Sequence, residues 1–409
     1  MASPLPVSLR QLLSRLRPSW VQRAVRRKIG KAQRRRLAIE QQVVTLEPDG
    51  EPRGDVLLAF IIDGFLAPND DAIPRTHTHF WESVQMARSF VDLGYRVDAV
   101  HWTNTAFIPT KPYRVATDVR LLLEHWAPHL PADCLKIMHA ETAHPSVHNP
   151  AQLARLDAIE KRRGVRLAPV KMIEENRCID TADVAVILGD DFTHDSYAFA
   201  GKPIHRVPIS APAVYDPIER EIATCRNHFM WFGSGGLVHK GLDLVLEAFA
   251  GMPEMFLTVC GPIDAERDFE RAYWRELYDL PNIHTHGWID VESQDFLDLA
   301  RRTMGVVFPS CSEGGGGSVY TCMHAGIVPL TGRGASIPIE PAWGVRLETA
   351  EHPEITVESI RVAVREFAAR PIEELAAMSA AAYAHANQHH TRERFTEAHR
   401  ALMAELLDS

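Results

Sequence analysis

The amino-acid sequence predicts an α/β fold in which two doubly wound, Rossmann-like domains face each other across a cleft. The chain has 409 residues, which is long enough for two separate hydrophobic cores. Apolar runs of strand length alternate with helical patterns in both halves. A proline-containing stretch at 211–227 interrupts this alternation. We therefore predict an N-terminal domain at 41–210, a linker at 211–227 and a C-terminal domain at 228–390. Residues 391–409 could form a helix that returns to the N-terminal domain.

A basic segment at 1–40 precedes the first predicted strand. Residues 1–39 contain eleven Lys or Arg residues and no acidic residue, whereas the whole chain has a net charge of −9. Apolar residues recur on one face of two short helical patterns, which is typical of helices that lie on anionic lipid. A solvated arm and a cleaved organellar transit peptide remain alternatives. Nucleic acid is not expected as a partner, because the rest of the chain is acidic and lacks a basic surface interleaved with aromatic residues.

The N-terminal domain is expected to begin with the apolar run DVLLAFIID at 55–63, which is typical of a parallel strand buried on both faces. A loop rich in Pro, Asp and His follows, from Gly64 to His79. The next helix is predicted at 80–93 and ends at Gly94. Further strands are predicted at 95–102, 134–139, 184–189 and 205–209.

The C-terminal domain repeats this alternation. A strand predicted at 228–232 leads into the glycine loop 233–236, then Lys240 and a helix at 241–250. A lysine beside backbone N–H donors suits a diphosphate group, although an ordinary exposed lysine is the alternative. Later strands are predicted at 255–260, 282–288, 305–309, 327–330 and 345–347, with helices at 265–278 and 293–301 and helical segments across 357–407.

A second glycine loop, 314–317, lies between a predicted strand and a helix predicted to begin at a Ser318 cap. Glycine allows backbone N–H groups to approach a ligand, and the start of a helix adds unpaired donors. Glu313 precedes this loop. In open α/β sheets, ligands bind at such strand–loop–helix junctions. We expect a hydroxyl-rich or anionic ligand here, and a flexible loop without a ligand is the alternative.

The C-terminal half resembles a known family through four motifs taken in order. They are HKGLDLVLEAF at 239–249, Cys-Gly-Pro at 260–262, NIHTHGWI at 282–289 and SEGGGGS…MHAGIVPL at 312–330. This pattern is similar to the donor-binding domain of family-four retaining glycosyltransferases, also called group 1, which have the two-domain GT-B architecture. The resemblance is strong over 229–330 and looser over 55–210.

The resemblance implies roles for individual residues. Glu313 should contact hydroxyls of the donor sugar, Lys240 should hold the nucleotide diphosphate, and His139 should contact the sugar from the N-terminal domain. These three are the predicted catalytic residues, and a structural histidine is the alternative at 139. The predicted substrate-binding residues offer backbone N–H groups, hydroxyls or a nucleobase contact: Gly64, Ser234, Gly235, His286, Gly315, Gly316, Gly317, Ser318 and Thr321.

Two positions depart from the family pattern. The family has a second glutamate where this chain has Thr321, and a threonine hydroxyl cannot accept from both ribose hydroxyls as a carboxylate can. The family usually has a basic residue where this chain has Gly235. Arg333 could compensate. These departures keep two alternatives to a transferase open: a nucleotide-sugar epimerase of the same fold, and a catalytically degenerate scaffold subunit of a glycan-synthesis complex.

The resulting expectation is a glycosyltransferase of hexosyltransferase type that acts with retention in polysaccharide or glycolipid biosynthesis. Its donor would be a nucleotide-diphosphate sugar, and its acceptor a glycan or lipid-linked carrier near Gly64 to His79 and Glu141. No cofactor and no metal is expected, because the histidine pairs lack a cluster of further ligands. The six cysteines form no C-x-x-C pair, and no apolar stretch is long enough to span a membrane. We predict a cytoplasmic protein whose basic segment could contact the inner face of the membrane.

Overall fold

The computed structural model describes residues 36–349 and 354–408, which form two α/β domains, each built on a mostly parallel sheet. The predicted fold class is therefore confirmed. Of the basic N-terminal segment, residues 1–35 lie outside the described residues, so the predicted membrane-binding helices are not among the elements given below.

The first sheet has seven strands in the order β1-β3-β2-β4-β5-β6-β7. All neighbours pair in parallel except β1, which runs antiparallel to β3 at the edge of the sheet. The run predicted at 55–63 forms the inner strand β2, and its apolar side chains are buried on both faces. The strands are β1 (Val43–Leu46), β2 (Asp55–Phe60), β3 (Arg96–His101), β4 (Tyr113–Asp118), β5 (Leu135–Ala140), β6 (Val184–Ile187) and β7 (Ile204–Arg206).

The second sheet has six parallel strands in the order β10-β9-β8-β11-β12-β13. This order is that of a dinucleotide-binding Rossmann sheet, in which the order of the strands reverses beside the first strand and leaves a ligand crevice there. The strands are β8 (His228–Phe232), β9 (Phe256–Cys260), β10 (Ile283–Gly287), β11 (Gly305–Phe308), β12 (Val328–Thr331) and β13 (Val345–Arg346).

Helices cover the faces of both sheets. In chain order the helices of the first part are α1 (Thr78–Asp92), α2 (Leu123–Trp126), α3 (Pro145–Arg163), α4 (Cys178–Thr181), α5 (Asp191–Tyr197) and α6 (Ile222–Cys225). Those of the second part are α7 (Leu242–Ala250), α8 (Arg267–Ala272), α9 (Trp274–Tyr278), α10 (Gln294–Arg301), α11 (Gly317–His324), α12 (Val357–Ala369), α13 (Ile372–His389) and α14 (Arg392–Asp408).

Two helices each pack against the domain that does not contain their neighbours in the sequence. Helix α14 follows the second sheet but packs on α1 of the first domain, where the rings of Trp81 and Phe395 lie 6.1 Å apart. Helix α3 lies between β5 and β6, yet its buried Leu156 and Ile159 join the hydrophobic core of the second domain. Both helices therefore tie the two domains together.

Sequence patterns missed β4 and α3 for identifiable reasons. Strand β4 ends in Asp118, whose buried carboxylate accepts from the backbone N–H groups of Leu122 and Leu123, so the strand lacks a plain apolar run. Helix α3 begins at Pro145, contains Pro150 and is largely polar, because it presents arginines to the other domain. Charged residues that are satisfied only across a domain boundary cannot be recognised from local periodicity.

The predicted cap at Ser318 is wrong. Helix α11 begins at Gly317, and its cap position is Gly316, which adopts a left-handed backbone conformation with φ of 58°. No side chain caps this helix. Its first backbone donors therefore have no side-chain acceptor.

Candidate active site

A cleft with a volume of about 670 Å³ lies between the two domains. The carboxyl ends of several strands from both sheets lead into it, as expected for ligand sites in open α/β folds. Eight of the predicted site residues line this cleft: Ser234, Lys240, Glu313, Gly315, Gly316, Gly317, Ser318 and Thr321.

An ion pair lies in the wall formed by the C-terminal domain. Lys240 precedes α7 and Glu313 follows β11, and Lys240 Nζ lies 2.6 Å from Glu313 Oε1. Ser310 also donates to Glu313 Oε1 at 2.8 Å. Burial alone would raise the pKa of Glu313, but Lys240, His239 and the two hydrogen bonds outweigh it and hold the pKa at about 2. Glu313 is therefore an ionised hydrogen-bond acceptor at neutral pH.

His239 supports the loop that carries Glu313. Its Nε2 donates to the carbonyl oxygen of Ser312, and its ring lies 4.5 Å from the ring of His148 in the other domain. Burial lowers the pKa of His239 to about 3, against the opposing effect of Glu313. A neutral His239 can keep one ring N–H on the loop backbone, which holds Glu313 in place.

The loop 314–317 presents unpaired backbone donors to the cleft. Among the described residues, no N–H group from Gly314 to Ser318 donates a hydrogen bond. The loop also touches the opposite domain: a Cβ on Gly314 would lie 2.0 Å from the carbonyl oxygen of Glu141. Glycine at 314 is thus required by the close approach of the two domains, and the free donors are available to an anionic or hydroxyl-rich ligand.

The loop 233–236 has a different arrangement. The N–H groups of Gly236 and Leu237 donate to the carboxylate of Glu266 at 2.5 and 3.1 Å, so a protein side chain already occupies part of this nest. Ser234 lines the cleft, whereas Gly235 does not. The second glycine loop, 314–317, is therefore the better anion site of the two.

The wall formed by the N-terminal domain carries a polar cluster. His79 Nδ1 lies 3.1 Å from Glu141 Oε2, and Arg120 pairs with the other oxygen of Glu141. Arg120 also lies over the ring of Trp102, 4.9 Å from its centroid. Burial lowers the pKa of His79 to about 4, so this imidazole is neutral at pH 7. The cluster offers both donors and acceptors to a bound ligand.

Four predicted site residues are not brought to the cleft. His139 on β5 is only 1% exposed, packs 5.8 Å from the ring of Phe60, and has no hydrogen-bond partner for either ring nitrogen among the described residues. Gly64 packs against α1, where a Cβ would lie 2.1 Å from the carbonyl oxygen of Phe80. Gly235 faces Glu266, and His286 lies beside His284 away from the cleft. Burial of the His139 ring, the packing of the Gly64 backbone on α1, and the positions of Gly235 and His286 outside the lining of the cleft account for the four differences.

The residues that line the cleft include Arg120 and Lys171, which sequence patterns did not mark. Arg120 follows β4, a strand that the patterns did not predict. Lys171 lies in an irregular segment between α3 and α4, where no motif marks it. Trp288 is 54% exposed at the mouth of the cleft. Its position could be predicted from the sequence, because it is the last residue of the predicted strand 282–288.

The described residues contain neither a metal-binding cluster nor a membrane-spanning helix. Within residues 36–349 and 354–408, no group of three or more His, Cys, Asp or Glu side chains is placed to hold a metal ion. No helix in the same residues is long and apolar enough to cross a membrane.

The fold is of the GT-B class found in glycosyltransferases, as shown by solved structures of similar architecture. Sucrose-phosphate synthase from Thermosynechococcus elongatus is 11% identical, with a TM-score of 0.56, over 87% of this chain and 100% of that chain. Anabaena HepE in complex with UDP and glucose is 12% identical, with a TM-score of 0.53 and the same two coverages. At such identities the likeness establishes the fold.

Other comparisons are partial or negative. The match spans only 56% of the pneumococcal O-GlcNAc transferase GtfA, at 13% identity and a TM-score of 0.43. It spans 55% of Staphylococcus aureus TarM, at 9% identity and a TM-score of 0.48. No protein-family model and no curated protein sequence matches the chain.

Proposed function

We propose that this protein is a glycosyltransferase that transfers a sugar, with retention of configuration, from a nucleotide-diphosphate sugar to a glycan or lipid-linked acceptor. The observation that carries the proposal is the Lys240–Glu313 ion pair of 2.6 Å beside the unpaired N–H groups of Gly314 to Ser318, in a cleft between two Rossmann-like domains. Each part of this arrangement matches one need of glycosyl transfer.

The leaving group needs positive charge and fixed donors. In the transfer, the bond from the anomeric carbon to the diphosphate oxygen breaks and its electron pair leaves with the diphosphate. Lys240 and the free N–H groups at the start of α11 would stabilise that negative charge. Removing one such fixed donor typically raises a barrier by about 3 kcal/mol.

The sugar needs acceptors for its hydroxyl groups. Glu313 is ionised and uses one oxygen for Lys240 and Ser310, so its other oxygen can accept from hydroxyls of the donor sugar. A carboxylate near the anomeric carbon also favours the oxocarbenium-like charge that develops there. Glu313 would thus orient the sugar and stabilise its charge.

The acceptor would approach from the opposite wall. His79, Glu141 and Arg120 lie there, beside the loop from Gly64 to His79 that the sequence marked for the acceptor. The acceptor oxygen bonds to the anomeric carbon, and its proton passes to the departing diphosphate, which carries the electron pair of the broken bond. The basic residues at 1–39 support an acceptor held at an anionic membrane surface, with the protein at its inner face.

A thermal-shift panel of UDP, GDP and ADP and their sugars tests the proposal. A ligand that binds the folded state stabilises it by RT ln(1 + [L]/Kd), which is about 2.7 kcal/mol at a concentration of 100 Kd. A shift for one nucleotide family, followed by sugar transfer from a labelled donor with the anomer retained by NMR, is the expected result. Conversion of the donor without any acceptor would instead indicate an epimerase. The absence of a thermal shift with every ligand of the panel would overturn the proposal.

One observation favours a second candidate, a scaffold subunit without activity. The hydroxyl of Thr321 donates to the carbonyl oxygen of Gly317 at 3.0 Å, so it is engaged within α11 where a second glutamate would contact the ribose. A scaffold would bind no nucleotide in the same panel but would retain its fold. The intact Lys240–Glu313 pair makes the enzyme the better-supported function.

A further inference from the structure

We propose that Lys171, a residue of the N-terminal domain, is the second cation that binds the diphosphate of the donor. The inference rests on the proposed use of a nucleotide-diphosphate sugar and adds a binding residue that no motif marks. It also means that the diphosphate would be held by both domains at once.

The backbone of Lys171 is fixed in place by α3. His148 Nε2 donates to the carbonyl oxygen of Lys171 at 2.7 Å. Two residues further along, Asn149 bonds both backbone groups of Ile173, at 2.9 and 2.8 Å. The segment carrying Lys171 is therefore anchored although it is irregular, and its side chain is exposed in the cleft. Such anchoring lowers the cost of ordering a binding residue.

The aliphatic part of the Lys171 side chain crosses the domain boundary and lies along the loop 233–236. A Cβ on Gly236 would fall 2.4 Å from Cγ of Lys171 and 3.2 Å from its Cε. Gly236 therefore leaves the space through which Lys171 passes. The amine enters the part of the cleft that also contains Lys240.

Lys171 differs from the other cationic side chains of the cleft in how its charge is compensated. Four cationic side chains line the cleft, and three of them are paired with carboxylates: Arg75 with Glu292 at 2.5 Å, Arg120 with Glu141, and Lys240 with Glu313 at 2.6 Å. Across residues 36–349 and 354–408, the amine of Lys171 has no hydrogen bond and no carboxylate within 4.0 Å. Lys171 is thus the cation available to a bound anion.

The charge of the ligand requires such a cation. A nucleoside diphosphate carries more than one negative charge, whereas Glu313 already compensates the charge of Lys240. Desolvation in the cleft, followed by the repulsion of Lys240, lowers the pKa of Lys171, and a bound diphosphate would reverse that effect.

Lys171 also supplies a positive charge that the sequence lacks at position 235. Gly235 stands where the resembled family usually has a basic residue, and Lys171 supplies a positive charge beside the same loop from the other domain. Arg333 does not fill this role, because it is exposed outside the cleft and its backbone N–H donates to Glu348.

The test compares Lys171→Met with Lys161→Met in the full chain, by calorimetric titration with UDP, GDP, ADP, the matching nucleosides and inorganic pyrophosphate. Lys161 is an exposed lysine of α3 outside the cleft, so its loss changes net charge equally. For Lys171→Met, the affinity for the diphosphate that the wild type binds should fall at least tenfold, equivalent to about 1.4 kcal/mol. Its salt dependence should become shallower, and nucleoside affinity should not change. Lys161→Met should behave as wild type.

The outcomes separate this inference from the proposed function. Tight diphosphate binding by the wild type together with unchanged binding by Lys171→Met would overturn the role of Lys171 alone. Failure of the wild type to bind any nucleotide would overturn the proposed function. The thermal midpoint of Lys171→Met without ligand should match the wild type, because the lost amine has no partner in the protein.

Discussion

At the scale of single residues, Lys240 and Glu313 form an ion pair that we propose acts as one unit in the transfer. Lys240 is 6% exposed, and Glu313 accepts from both Lys240 and Ser310. A buried ion pair contributes little net stability, since desolvation offsets the attraction, but loss of one partner leaves an uncompensated charge. The pair is better explained by ligand binding than by stability.

Lys240→Met should lower the free energy of unfolding by about 3 kcal/mol and abolish diphosphate binding, because Glu313 would remain buried without its partner. The double variant Lys240→Met with Glu313→Gln should recover most of the stability but none of the binding. Chemical denaturation and calorimetric titration measure the two effects. A double variant no more stable than Lys240→Met would contradict this account of the pair.

His139 shows how burial of a titratable group affects stability rather than catalysis. Burial first, then the nearby His399 and His79, lowers the pKa of His139 to about 3. An unfolded histidine titrates near 6.5. Between these values the unfolded state binds a proton that the folded state excludes, so stability falls as pH drops through this window.

His139→Leu should remove the contribution of this residue to the pH dependence of stability and leave nucleotide binding intact, since the imidazole makes no hydrogen bond among the described residues and lies outside the cleft. Between pH 7 and pH 5 the wild type should lose about 2 kcal/mol more than this variant, at about 1.4 kcal/mol per pH unit below 6.5. Denaturant titrations at both pH values measure the difference. Equal losses in the two proteins, or loss of nucleotide binding in the variant, would count against a structural role.

At the scale of elements, the junction between β11 and α11 carries most of the proposed chemistry. Gly316 has φ of 58° and caps the helix, while Gly314 approaches the backbone of Glu141 in the other domain. The loop therefore both orients its free N–H groups and contacts the N-terminal domain. A side chain in this loop would disturb both properties.

Gly314→Ala should weaken diphosphate binding at least tenfold, because its Cβ would lie 2.0 Å from a backbone oxygen that cannot rotate away. Gly235→Ala is the matched control, since its Cβ would meet nothing closer than Glu266 at 3.7 Å. Titration and thermal unfolding of both variants provide the comparison. If the two alanines behaved alike, the close contact between the domains would not matter for binding.

At the scale of the whole molecule, ion pairs and hydrogen bonds between the two domains hold them relative to each other. Helix α3 brings Arg162 to within 2.9 Å of Asp243 on α7, and Arg155 lies 3.7 Å from the same fully buried carboxylate. Elsewhere between the domains, the hydroxyl of Ser336 in the C-terminal domain and the hydroxyl of Thr193 in the N-terminal domain form a hydrogen bond of 2.6 Å. Since Leu156 and Ile159 also join the second core, we expect the domains to unfold together.

Asp243→Ala should lower the free energy of unfolding by about 3 kcal/mol, because it leaves arginines without their buried partner. Asp298→Ala removes an exposed pairing with Arg301 and should cost at most about 1 kcal/mol. Calorimetric unfolding of both variants tests the difference. A similar small loss in each would show that the contact of α3 with α7 contributes little to holding the domains together.

Much of the fold and part of the site could be read from local patterns. The buried runs that became β2 and β8, the glycine loops, and the positions of Lys240 and Glu313 at strand–helix junctions all follow from residue type and spacing. These features depend on the backbone and on neighbours a few residues away, so the amino-acid sequence alone is enough to predict them.

The remaining features of the site depend on which distant elements pack against each other in the folded protein. Lys171, Arg120 and the His79–Glu141 contact reach one cleft from segments far apart in the chain, and no periodicity marks their meeting. His139 occupies a strand position like those of ligand-binding residues, yet its side chain points into a core. Burial, pairing and the direction of a side chain are set by packing between distant elements, and only the folded arrangement of both domains determines them.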